Sequence, residues 1–290
     1  MAQRKPVKKL SKSFGGTKGK LPTLVTVPMP SDTISGSYIS AGWLLSQMDL
    51  AAGGHSYKHI GGRSVTVGVE AMSFRKPVFV GDDVRIYTRV VRQGKTSVSI
   101  KVESWASRRY AKTVEKVTEG TFTFVAIDVN HRPVEIKRKV PAKLKNKPAP
   151  ARSPQNGPLV LQTPPNLPDY ALSIRTIPLP RDTNYLGDIF GGWILSQMDL
   201  ACKKEAEKYI NMRAATVGLE SMTFHKPIHV GDEVSLYVKI VRTGNTSIAL
   251  NVQSWALRAG TKDHVKVTEG TFTFVAFDAN HNKTPIGPRP

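Results

Sequence analysis

"KVTEGTFTFVAIDVNH" fills Lys116 to His131, and "KVTEGTFTFVAFDANH" fills Lys266 to His281, 150 residues later. The alternating, β-branched and aromatic character of this stretch predicts a long strand. Its recurrence predicts a duplicated domain. Outward from it, Asp32 to Ile136 aligns on Asp182 to Ile286 without a gap and with about half the positions identical. "WLLSQMDLA" (Trp43–Ala51) answers "WILSQMDLA" (Trp193–Ala201), and "KPVFVGD" (Lys76–Asp82) answers "KPIHVGD" (Lys226–Asp232). Two copies of domain size are a tandem pair, not a solenoid.

Within the second copy, Trp193, Ile194, Leu195, Met198, Ala201 and Cys202 recur at helical spacing, after glycines that permit a tight entry. The runs 214–224, 233–257 and 264–277 then read as strands, with "RTGNTS" as a hairpin turn. Each copy is therefore expected to be α+β: a short leading strand, one long helix, and an antiparallel sheet wrapped around it. Such sheets leave open edges, and a tether between copies places their edges at millimolar effective concentration. The pair is expected to close on itself as a pseudo-dimer. The expected boundaries are a basic segment 1–22, a first domain 23–136, a basic Pro/Ala/Lys linker 137–157 and a second domain 158–290.

Composition narrows the function classes. The formal net charge is +20, but Met1–Lys20 and Lys137–Gly157 each carry seven basic residues and no acidic one, leaving about +6 for everything else. The excess thus sits in two solvated segments and not on a folded basic face. Contact with RNA, anionic lipid or an acidic partner through these tails is the secondary reading. No apolar run approaches the roughly 20 residues of a membrane span, and no secretory leader follows the basic start. The single Cys202 excludes an intrachain disulfide and suits a reducing compartment. A cytoplasmic protein is expected.

The stretches "DTNYLGDIFGGWILSQMDLA" (Asp182–Ala201), "ESMTFHKPIHVGDEV" and "VRTGNTSIALNVQSW" together resemble the hotdog-fold acyl-CoA thioesterases, specifically the short bacterial broad-specificity acyl-CoA hydrolases. The resemblance covers both repeats and implies two tandem hotdog domains. It also implies hydrolysis of acyl-CoA at the interface of the paired domains, CoA entering only as part of the substrate, no metal, and homo-oligomers; three chains would stand for a hexamer.

Thioester hydrolysis needs an activated water or nucleophile and donors aimed at the developing oxyanion. A helix start offers both unsatisfied N–H groups and a positive dipole end. Gly191 and Gly192 fit the donor role, and Asp188 on the same turn fits the base or nucleophile, the position of the family's catalytic acid. A helix-capping Asp188 is the competing reading of the turn alone. Asn184 suits orienting the turn or binding water. Asp49, three helical turns inside the first helix, is either a second member of the site opposite Asp188 or a buried, hydrogen-bonded packing carboxylate. The first copy reads "SYISAGW" where the second reads "GDIFGGW": Tyr38 replaces Asp188, Ala41 replaces Gly191 and Ile34 replaces Asn184. A phenol with a pKa near 10 is a weak base at pH 7, so one working site per chain is expected.

For the CoA phosphates, Arg75, Lys76 and Lys226, together with Arg92 and Arg242, are candidates, as are the turns Gly94–Lys95–Thr96–Ser97 and Gly244–Thr246–Ser247. His225 with His229, and His55 with His59, lie four apart without a completing carboxylate or cysteine pattern, so no metal site is expected. Two other functions compete. One is a non-catalytic double hotdog that binds acyl-CoA or serves as a scaffold, RNA-associated through its tails. The other is a hotdog dehydratase, which pairs a histidine with the carboxylate of the helix turn; no histidine occupies that turn.

Overall fold

In the computed structural model of the chain, residues 20–33, 38–109, 113–137, 169–184, 187–278 and 282–286 are described. The basic start, most of the linker and Ile34 lie outside them. Both repeats fold alike. β1 (Leu24–Thr26) leads to helix α1 (Ala41–Ile60), then β2 (Ser64–Val69), β3 (Met72–Ser73), β4 (Asp83–Gln93), β5 (Ser97–Ser107) and β6 (Val114–Ala126). The second repeat follows with β7 (Ala171–Thr176), α2 (Gly191–Ile210), β8 (Arg213–Leu219), β9 (Met222–Phe224), β10 (Glu233–Thr243), β11 (Ser247–Leu257) and β12 (His264–Phe277).

The twelve strands make one antiparallel sheet, ordered β1-β4-β5-β6-β2-β9-β12-β11-β10-β7 along its main path. Its seam has twofold logic: β2 pairs with β9 through Gly68↔Thr223 and Val69↔Met222, while β8 pairs with β3 through Gly218↔Ser73 and Leu219↔Met72. This is the expected double hotdog. Register shifts recur at matching places, between Val90 and Arg92 and between Ile240 and Arg242, where bulges let the sheet curl around the helices.

Alternation in "TFTF" sends Phe122 and Phe124, and likewise Phe272 and Phe274, inward, all essentially fully buried. Burial of each such ring contributes about 2–3 kcal/mol. They meet Leu45, Met48, Leu195 and Met198 from the two helices, which are also fully buried. The helices touch each other through glycine. A Cβ built on Gly192 would lie 2.7 Å from Ser46 Cα, and one on Gly42 would lie 2.8 Å from Ser196 Cα. No larger residue fits without parting the pair.

The "VGD" turns are held in the same way in both halves. Asp82 accepts the Phe79 N–H (3.0 Å) and pairs with Arg108, while Asp232 accepts the His229 N–H (2.9 Å) and pairs with Arg258. This fixes the segments that flank the helix starts.

Candidate active site

Asp188 sits on the turn before α2, after Gly187 at φ 83°, a left-handed conformation that glycine adopts without cost. Asn184 braces that turn from both sides. Its side-chain Oδ1 accepts the Asp188 N–H (3.1 Å), and its own N–H donates to the Asp188 carbonyl (2.8 Å). The Asp188 carboxylate is 20 % exposed and faces the first repeat. Arg63, opening the approach to β2, donates from Nη2 to Asp188 Oδ2 at 2.8 Å. His131 Nε2 stands 3.9 Å from Oδ1, which accepts no hydrogen bond among the described residues.

His131 reaches this place through a tight turn. Asp128 Oδ1 accepts the N–H groups of Asn130 (2.8 Å) and Arg132 (2.9 Å), and His131 takes a left-handed φ of 59°. Neither Arg63 nor His131 was singled out from the sequence, because both come from the opposite repeat. The "D-x-N" spacing of the turn was the legible signal for His131. Its twin, His281, lies outside the described residues.

Asp188, Asn184 and His131 line a cavity of about 560 Å³ between the repeats, within the ordinary size range of ligand sites. Asp188, Asn184, Gly191, Ile194 and Lys226 come from the second repeat, and Asp49, Thr66, Tyr57 and His131 from the first. His225 also lines it, whereas His229 lies aside, hydrogen-bonded to Arg258 (3.2 Å). Burial and the Arg258 charge hold His229 below the ordinary histidine range.

Two expectations change at the helix start. Gly192 does not offer a free amide: its N–H donates to Asp49 Oδ2 at 2.8 Å, and the glycine is required by the helix contact. Asp49 accordingly is a buried acceptor that ties the two helices. It takes the Thr66 hydroxyl on Oδ1 (2.9 Å), and burial lifts its carboxyl to about 6 against the two hydrogen bonds. Asp199 repeats this arrangement with the Gly42 N–H (2.9 Å) and the Thr216 hydroxyl (2.6 Å). The symmetry identifies a fold device shared by the working and the altered half. Asp49 still walls the cavity, but its oxygens are committed.

Gly191 remains. Its N–H has no hydrogen bond among the described residues, and a Cβ there would lie 3.0 Å from Thr66 Cβ. Phe190 stands at the N-cap of α2 and supplies no side-chain cap. In the first repeat the same position is Ser40, whose hydroxyl accepts the Trp43 N–H at 3.0 Å. Both helix starts leave the first amide, of Gly191 or Ala41, without a hydrogen bond among the described residues and fill the third: Trp193 N–H donates to the Phe190 carbonyl (3.1 Å) where Trp43 N–H donates to the Ser40 hydroxyl, a difference written in the sequence as Ser40 against Phe190. Tyr38, in the Asp188 position, packs at a tilt of 43° against Phe79 with ring centroids 5.0 Å apart, where the second repeat has His229.

Of the residues considered for CoA, Lys226 lines the Asp188 cavity, whereas Arg75 and Lys76 line its counterpart in the other half. The turns Gly94–Ser97 and Gly244–Ser247 close the β4–β5 and β10–β11 hairpins and lie outside both cavities. Lys95 and Thr96 accept the N–H groups of Ile136 and Ala126, bracing the segment that carries His131, and Thr246 accepts that of Ala276. His55 and His59 bond Thr88 and Gln93 separately. Among the described residues no group of three metal-ligating side chains gathers.

A double hotdog with a carboxylate beside a helix start and a cavity at its seam fits the thioesterase class. The thioesterase superfamily model matches residues 36–111 and 186–260, and the chain belongs to that family. Each repeat is the size of a whole relative. Acyl-CoA thioester hydrolase YciA of Salmonella typhimurium is 40 % identical over 124 residues, which is 42 % of this chain and 93 % of that protein. An uncharacterized acyl-CoA thioester hydrolase of Haemophilus influenzae is 44 % identical over 118 residues, 40 % of this chain and 77 % of that one. The solved acyl-ACP thioesterase of Bacteroides thetaiotaomicron superimposes with a TM-score of 0.59 at 13 % identity, over 87 % of this chain and 96 % of that one, a likeness of fold.

Proposed function

We propose that the protein is an acyl-CoA thioesterase that releases a carboxylic acid and CoA at one composite site per chain, around Asp188. The observation that carries this reading is the Asp188 carboxylate facing a two-repeat cavity beside the Gly191 N–H of α2, which has no hydrogen bond among the described residues. The relatives' names supply the substrate class, acyl-CoA.

In this reading the thioester carbonyl lies with its oxygen toward the Gly191 N–H and the positive end of α2. Arg63 holds Asp188 Oδ2 and leaves Oδ1 to face the reacting carbon or a water. As a base, Asp188 takes a proton from the water while its oxygen bonds to the carbonyl carbon. The carbon–sulfur bond then breaks, and the proton passes to the departing thiolate of CoA. As a nucleophile, Oδ1 bonds to the carbon itself and the carbon–sulfur bond breaks to release the CoA thiolate; water then cleaves the mixed anhydride into the free acid and the restored Asp188 carboxylate, and its proton passes to the thiolate. Either route needs no metal or prosthetic group. Lys226 at the cavity is the candidate for a CoA phosphate, joined by the 94–97 and 244–247 turns outside it.

The first repeat provides the wall and the arginine but, with Tyr38 and Ala41 in the places of Asp188 and Gly191, not a second reaction centre. We place the chain in the cytoplasm, on the support of its single, buried free thiol, Cys202. No helix among the described residues is long and apolar enough to cross a membrane. Exposed apolar residues beside the outer strands β1 and β7, among them Val25, Val27, Leu172 and Ile177, support further assembly, for which three chains is the expected number.

Release of CoA from acyl-CoAs of several chain lengths, followed with a thiol reagent, tests the reading. Asp188→Ala is expected to lose roughly 10²–10⁴ in turnover. Arg63→Ala, altered in the other repeat, is expected to lose about tenfold or more, with partial recovery in Arg63→Lys. An Asp188→Ala protein as active as its parent removes the assignment.

A further inference from the structure

The altered half keeps a cavity of its own. It encloses about 360 Å³ between Tyr38, Ala41 and Phe74 of the first repeat and Arg213, Ala215 and Phe277 of the second, with further apolar lining. Pseudo-symmetry places Arg213 where Arg63 stands in the other half. Arg63 has a carboxylate partner, Asp188; the residue opposite Arg213 is Tyr38, which brings no charge. The other cations of this cavity each stand within 4.0 Å of a carboxylate, Glu119 being shared with Lys101 and Lys116 and Glu115 with Arg108. Arg75 lies 4.0 Å from Glu119, Lys76 3.2 Å from Glu115, and Lys203 3.2 Å from Glu207. The Arg213 guanidinium, on an exposed residue at the cavity mouth, has neither an ion pair nor a hydrogen bond among the described residues. Asp199, also in the wall, has both oxygens committed to Gly42 and Thr216.

Replacing Asp188 by tyrosine therefore does more than remove a reacting group. It changes the electrostatic sign of the pocket end from a balanced ion pair to an unmatched guanidinium above an apolar chamber. Tyr38 leaves this end without the carboxylate that stands at the other helix start, so no base or nucleophile of that kind faces a bound acyl group. A ligand suited to this chamber carries its own carboxylate at the end of an apolar chain.

The geometry points to this cavity as a non-hydrolytic binding site for a free aliphatic carboxylate, seated with its head on Arg213 and its chain toward Phe74 and Phe277. An acyl-CoA presents a neutral thioester at that level and its phosphates farther away, so the free acid is the better complement to a bidentate guanidinium. The site is separate from the reaction centre and does not require that hydrolysis occur at Asp188.

Equilibrium dialysis of dodecanoate against the full chain tests it, with dodecanol and the dodecyl thioether of CoA as comparison ligands. The parent should hold a class of dodecanoate sites that Arg213→Glu weakens roughly tenfold or more. Tyr38→Asp, which supplies the carboxylate that Arg63 has and Arg213 lacks, should weaken the same class without touching the arginine. Any dodecanoate held at the Asp188 cavity persists in both variants and is counted apart. Turnover of acyl-CoA by Arg213→Glu should stay within about twofold of the parent. Dodecanoate binding that is absent in the parent, unchanged in both variants, or equalled by dodecanol overturns the proposal; so does loss of the CoA thioether alone. An inactive parent would remove the thioesterase reading and leave the dialysis result to stand by itself.

Discussion

Asp188 and Asp49 show how the same residue type takes opposite tasks. Asp188 is partly exposed, held at one oxygen by Arg63 and open at the other. Asp49 is sealed, with both oxygens filled by an amide and a hydroxyl. The carboxyl of Asp49 is raised to about 6 by burial, and that of Asp199 is raised for the same reason. A raised folded-state carboxyl binds its proton more tightly than the unfolded chain does. Its stabilising contribution is therefore complete below about pH 4 and is lost as pH rises through about 6. Urea unfolding across that window should show stability falling with pH, and Asp49→Asn should flatten part of the slope. Asp49→Ala leaves the Gly192 N–H and the Thr66 hydroxyl without their acceptor and should cost about 2 kcal/mol or more at pH 5. Of this site, Asp188, Asn184 and Gly191 were legible as a turn leading into a helix. Arg63 was not, because only the folded seam brings residue 63 to residue 188.

The elements followed the sequence closely. The runs at 233–257 and 264–277 became β10, β11 and β12, and the hairpin turn fell at "RTGNTS". Period and turn chemistry act locally, so they can be read locally. What two glycines in a row are for could not be read this way. Gly191 and Gly192 look alike on paper, yet one faces the cavity and the other lies against Ser46 of α1, a contact made only when two helices pack. Gly192→Ala should push the helices apart and lower stability by about 1–3 kcal/mol, measured by thermal or urea unfolding. The cavity seen from Asp188 should widen with it. The Ser40/Phe190 contrast was open to inspection; recognising it required weighing an N-cap signal beside the loss of Asp188.

At the scale of the molecule, duplication made the two halves free to differ. A symmetric pair of identical domains must present the same turn twice. Here one turn carries the carboxylate of Asp188, and the other carries Tyr38, packed on Phe79, and a capping serine. The paired strands at the seam stayed symmetric throughout. Sheet and helix contacts therefore constrain both copies equally, while the two cavities diverge. In solution the chain is expected to run at about three times its 31.8 kDa mass, as read by sedimentation or light scattering. The central claim, though, concerns where the acyl group lies. A crystal structure of the full chain with a non-hydrolysable thioether analogue of acyl-CoA decides it. The account predicts the carbon in the carbonyl position within about 3.5 Å of Asp188 Oδ1 or of a water bonded to it. The chain should be enclosed by both repeats. An analogue whose reacting carbon sits away from Asp188, with that carboxylate still turned to Arg63 and no ligand in the seam, would contradict it.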